Sequence, residues 1–106
     1  MSADGATIVS ASDDQTLKVW DGPSGAERLT LSGHAGEVRG CAVSADGATI
    51  VSASFDGTLT VWDGRTGECL STLQLDGPLY GCACSADGEV IAAAGDRGIY
   101  FLRLVR

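Results

Sequence analysis

His34, Ser54 and Asp56 are the residue types of a nucleophilic hydrolase: a base, a hydroxyl and a carboxylate to orient the base. His34 is the single histidine of the chain, so any imidazole chemistry must centre on it. Acyl transfer also needs donors for an oxyanion, and no separate motif supplies them. No glycine motif that would cradle phosphate is present either. Cys41, Cys69, Cys82 and Cys84 lack metal-ligand spacing, because Cys82 and Cys84 stand on alternate positions and miss the separation of zinc knuckles and redox pairs. They are expected to be small buried hydrophobes with reduced thiols. On these grounds no catalytic residue, cofactor or metal site is assigned, and the chain is not expected to be an enzyme.

Charge narrows the partners further. The formal net charge is −7, from 14 acidic and 7 basic residues. Seven acids sit in Asp-Gly pairs spread along the chain, as at Asp46-Gly47, Asp56-Gly57 and Asp63-Gly64, so the acidity is turn chemistry and not a tail. Without a Lys/Arg cluster there is no footprint for a phosphate backbone, and nucleic acid is an unexpected partner. There is neither a leader-like apolar stretch nor a long apolar run, so no membrane is expected and a cytoplasmic location follows by default.

The elements that must position these residues come from repetition. SADGATIVSAS at 2–12 recurs unchanged at 44–54, and TLKVWDGPSG at 16–25 is matched by TLTVWDGRTG at 58–67, both at an offset of 42. A weaker third copy aligns GCAVSADGATI at 40–50 with GCACSADGEVI at 81–91, at an offset of 41. A period of this size without helical patterning means one small β unit per repeat. In the middle repeat the strands are expected at Val38–Ser44, Thr49–Ser54, Thr58–Asp63 and about Cys69–Gln74. Asp-Gly turns join them, where glycine takes positive φ freely. The segment Ile50–Ser54 is apolar or small on both faces, which suits a strand sandwiched between neighbouring sheets.

Together these features resemble the WD-repeat family of β-propellers. The likeness rests on Gly33-His34 opening the second repeat, Ser-Ala-Asp-Gly in all three repeats, and the closing Trp20-Asp21 and Trp62-Asp63. It implies an all-β fold of four-stranded antiparallel blades arranged radially around a channel. It also implies a buried polar network of His34, Ser54 (less favoured, Ser52), Asp56 and Trp62, which would commit the serine to an indole and away from catalysis. A partial network of Ser12, Asp14 and Trp20 is implied in the first repeat. In the third, the tryptophan position is Leu102, and Asp96 aligns if its turn is one residue shorter.

With a blade's strands labelled a to d from the channel outwards, the chain reads b-c-d at about 6–33, a-b-c-d at about 34–74 and a-b-c at about 78–105. That is an incomplete propeller with apolar blade faces left open. Two explanations stand: a homo-oligomer of unfixed copy number, or blades excised from the C-terminal sensor or interaction domain of a larger signalling protein. The expected assembly edge is the last strand, about Ile99–Val105, with Phe101, Leu102 and Leu104. The expected role is a non-catalytic scaffold that contacts protein partners on its loop face through Asp13, Glu37, Arg39, Phe55, Pro78 and Tyr80. Phe55 and Tyr80 are favoured because aromatic residues dominate contact hot spots. The alternatives are that Phe55 packs over its own turn and that Tyr80 lines the channel.

Overall fold

The computed structural model describes residues 7–11, 14–32, 34, 36–75, 77–85, 90–96 and 98–103. Within them all regular structure is strand: β1 (Thr7–Ala11), β2 (Thr16–Asp21), β3 (Glu27–Ser32), β4 (Val38–Val43), β5 (Thr49–Ser54), β6 (Thr58–Asp63), β7 (Cys69–Gln74), β8 (Leu79–Cys84), β9 (Val90–Gly95) and β10 (Gly98–Arg103). They form three antiparallel sheets: β1-β2-β3, β4-β5-β6-β7, and β8-β9-β10. β4 stops one residue before the expected Ser44, because the Ser44 backbone turns to bond Thr49 across the hairpin and its hydroxyl donates to Asp46. β10 begins at Gly98, one residue ahead of expectation, and is described as far as Arg103. The residues at 12, 13 and 104 lie outside the described set, so Ser12, Asp13 and Leu104 do too.

The hairpins follow from local chemistry. Gly47 and Gly57 adopt φ of 75° and 86°, a region open to glycine and strained for other residues. Asp46 and Asp56 each accept a backbone N–H two residues on, from Ala48 and Thr58, which locks the turn. The third sheet turns more tightly: Gly95 pairs directly with Gly98, where the second sheet has three residues between Ser54 and Thr58.

No sheet holds a core of its own. Alternation along β5 and β6 sends Ile50 and Trp62 to one face and Val51, Ala53, Leu59 and Val61 to the other. The first pair packs with Leu17, Val19 and Leu31 of the first sheet and with Val38. The second set packs with Leu79, Ile91 and Ala93 of the third sheet. The whole of β5 is therefore buried, as its two-faced apolar sequence requires. Leu102 also packs into the second core, so of the expected assembly edge it faces inward. Its neighbour Phe101 points the opposite way and is 75% exposed, because successive strand residues alternate faces.

Candidate functional site

Two constellations bring polar and aromatic side chains together. The first is buried in the second sheet. The Trp62 indole N–H donates to Ser52 Oγ at 2.9 Å, and Ser52 Oγ lies 2.6 Å from His34 Nε2. His34 Nδ1 is 3.1 Å from Thr58 Oγ1, and the Thr58 hydroxyl donates to the Asp56 carboxylate. Proton positions follow from the partners, since a carboxylate only accepts and an indole only donates. Thr58 spends its proton on Asp56, so it accepts from Nδ1–H. Nε2 is then the lone-pair nitrogen and accepts the Ser52 proton. The result is one directed relay, Trp62 to Ser52 to His34 to Thr58 to Asp56, in which each group but the terminal carboxylate donates once.

This corrects the sequence assignment of Ser54. Ser54 Oγ instead donates to the Glu37 carbonyl at 3.0 Å and accepts the Asp56 backbone N–H at 3.3 Å. The cause is register. Ile50 lies opposite Trp62, which puts Ser52 diagonal to the indole and Ser54 a further step along the strand. Thr58, which sequence reasoning missed, is the link between imidazole and carboxylate. The first sheet repeats part of the pattern with the same shift: Trp20 donates to Ser10 at 3.0 Å, and Thr16 donates to Asp14 at 2.5 Å. The third sheet replaces Ser52 by Ala93 and Trp62 by Leu102, and is apolar there.

Burial sets the chemistry of the relay. Ser52 and Ser54 are both fully buried, so neither hydroxyl meets solvent. Burial pushes the His34 pKa below its ordinary value, against the weaker opposing pull of Asp56, and the imidazole is held neutral as the relay requires. Burial also pushes the Cys82 thiol up to about 12, so it stays protonated. Cys41, Cys69, Cys82 and Cys84 are all free, and no group of metal-ligating side chains forms among the described residues.

The second constellation is exposed, at the edge where β4, β8 and the β5–β6 turn meet. β4 pairs Val38 with Ser54 and then Gly40 with Ala53, leaving Arg39 as an extra residue. β8 does the same around Tyr80, between Leu79 and Gly81. Such bulges re-aim a side chain out of the ladder. The Arg39 guanidinium lies 5.0 Å over the Phe55 ring, within cation–π range, and Phe55 and Tyr80 have ring centroids 6.5 Å apart. Glu37 pairs with Arg39 at 2.9 Å, and the Tyr80 hydroxyl donates to Asp96, which raises the phenol's pKa. Phe55 and Tyr80 are 45% and 47% exposed. Of the six residues expected on the loop face, Glu37, Arg39, Phe55 and Tyr80 are thus gathered into one patch. Pro78 is half-buried beside it, its carbonyl accepting the Asp96 N–H at 3.1 Å. Asp96 joins the patch as a residue not expected there.

A four-stranded antiparallel sheet carrying an indole–serine–histidine relay and stacked between two three-stranded antiparallel sheets has the form of a β-propeller blade between its neighbours. The model of the WD domain, G-beta repeat (WD40), matches residues 1–21, 25–63 and 67–101, and the chain belongs to this family. A search of curated proteins finds no match. WD40 repeat proteins are generally non-enzymatic scaffolds, and their domains generally mediate protein–protein interaction.

Proposed function

We propose that this chain is a non-catalytic scaffold that captures a protein partner on the Arg39–Phe55–Tyr80 patch and assembles with further copies of itself. The observation that carries the first half is an exposed guanidinium stacked on the exposed Phe55 ring, with the exposed Tyr80 ring of the neighbouring sheet packed beside Phe55. Aromatic and arginine side chains dominate the hot spots of protein contacts. Here the bulges at Arg39 and Tyr80 have already fixed their direction. The buried state of Ser52 and Ser54 supports the non-catalytic part, since a nucleophile must reach its substrate. The assembling part is supported by exposed Ile99 and Phe101 on the third sheet. A reducing cytoplasmic setting fits four free cysteines, one of them held as a protonated thiol.

A random-peptide display library selected on the immobilised chain tests the partner face. Selected peptides should lose binding to a Phe55→Ala/Tyr80→Ala variant and keep it on Leu70→Ala, which alters an equally exposed apolar residue on β7. Peptides that bind the double variant as well as the parent would place the recognition surface elsewhere.

A further inference from the structure

We infer, building on the assembling reading above, that the open face of the third sheet docks head to tail on the open face of the first sheet of a second copy of this chain. In the second sheet Val51 lies opposite Val61 and Ala53 opposite Leu59. In the third sheet Ala92 lies opposite Phe101 and Ala94 opposite Ile99. These four positions are equivalent, one for one. In the second sheet they are 0–3% exposed because they pack on the third. In the third sheet Ile99 is 68% and Phe101 75% exposed, beside a shallow apolar hollow of about 260 Å³ that also reaches Gly81, Ala92 and Ala94.

What covers such a face inside the chain is also visible. The third sheet presents Ile91 opposite Leu102 to the second, and the second presents Ile50 opposite Trp62 to the first. The first sheet carries Ile8 opposite Trp20 in that same register, both partly exposed. Trp20 is held by Ser10 as Trp62 is held by Ser52, so its indole already lies along the sheet in the orientation used at the internal contact. The chain therefore bears both halves of its own sheet-to-sheet contact on opposite faces of the array. A second copy is the occupant whose surface has been shown, twice within one chain, to fit. The contact is heterologous: it uses two different patches, and closes into a ring if the rotation per copy allows.

Light scattering coupled to size exclusion, on the chain at micromolar concentration, reads the result. Ile99→Glu/Phe101→Glu alters two exposed residues of the docking face, and Ile8→Glu alters the receiving face. The parent should associate, each variant alone should run as a 10.8 kDa monomer, and an equimolar mixture should give a species of two chains and nothing larger. A mixture is diagnostic because each variant keeps one intact face. Hydrogen exchange of the parent should gain protection with concentration in Thr7–Ala11 and Thr16–Asp21 together with Val90–Gly95 and Gly98–Arg103, and not in Cys69–Gln74, which reads both faces even if Ile8→Glu fails to fold. A parent that associates while both variants associate as well as it does overturns the docking faces and leaves the assembling reading standing. An Ile8→Glu variant that still pairs with itself overturns head-to-tail docking in favour of a face-to-face contact. A monomeric parent overturns the assembling reading and this inference with it.

Discussion

A methyl group on Gly40 of β4 would stand 2.8 Å from the Cα of Gly81 on β8. The two glycines occupy the same position in successive repeats, yet no atom of the described residues lies within 4 Å of the Cβ that Gly81 would carry. Gly40→Ala should therefore force the second and third sheets apart, a backbone displacement that no rotamer change relieves. We expect a loss of roughly 1–3 kcal/mol, the range of overpacked cores. Gly81→Ala should change stability little. Paired chemical denaturation curves check this, and equal midpoints would contradict the close approach of β4 and β8.

Trp62→Phe should destabilise the chain more than Trp20→Phe. Trp62 is buried and heads a relay that runs through the sole histidine, whereas Trp20 is only partly buried and its relay has no imidazole. Removing the indole donor leaves the buried Ser52 oxygen short of a partner, a loss of about 1–3 kcal/mol. Thermal or urea midpoints of the two variants give the comparison.

Stability should fall as pH drops below about 6.5, the ordinary histidine value. The folded state holds His34 neutral with a lowered pKa, so the unfolded chain binds the extra proton first. The contribution is fully present above the unfolded value and is lost between that value and the lower folded one. Asp46 and Asp21, whose pKa values are lowered chiefly by hydrogen bonds, add a second loss at more acidic pH. His34→Gln should flatten the first decline and leave the second. Melting temperature against pH for parent and variant separates them.

Gly25→Ala and Gly57→Ala distinguish backbone strain from crowding. Both glycines have positive φ, of 72° and 86°. A Cβ on Gly25 meets none of the described residues within 4 Å, while one on Gly57 would lie 2.9 Å from the Gly77 carbonyl oxygen and 3.1 Å from that of Leu75. Gly25→Ala should lose only the conformational term of about 1–2 kcal/mol, and Gly57→Ala clearly more. Calorimetric unfolding of the two variants measures the difference.

Much of this architecture could be read from the chain. The repeat places the strands, and Asp46-Gly47 and Asp56-Gly57 place the hairpins on either side of β5, because both depend on neighbours in sequence. The relay was read one step out of place. Ser52 and Ser54 share a face, so alternation cannot choose between them. The choice comes from counting across the hairpin: a turn closed by Ser54 and Thr58 sets Ile50 opposite Trp62, and only Ser52 is then within reach of the indole. Thr58 also left a signal, since Asp-X-Thr recurs at Asp14 and Thr16. The sequence marks the residues of the aromatic patch singly and not as a cluster. Its assembly depends on bulges at Arg39 and Tyr80, each just before a glycine of the repeated Gly-Cys-Ala segment, a local bulge signal that does not say which side chains the bulges bring together.

The placement of both cores between sheets, with none inside a sheet, also bears on how the molecule comes apart. Each outer sheet is held by one contact and the middle sheet by two, so the chain behaves as a short linear array whose stability is a sum of neighbour terms. Opening should begin at the outer sheets and reach the middle one last. β5, buried along its whole length, is then the last segment to exchange its amides with water, and every copy added to the array would delay that moment.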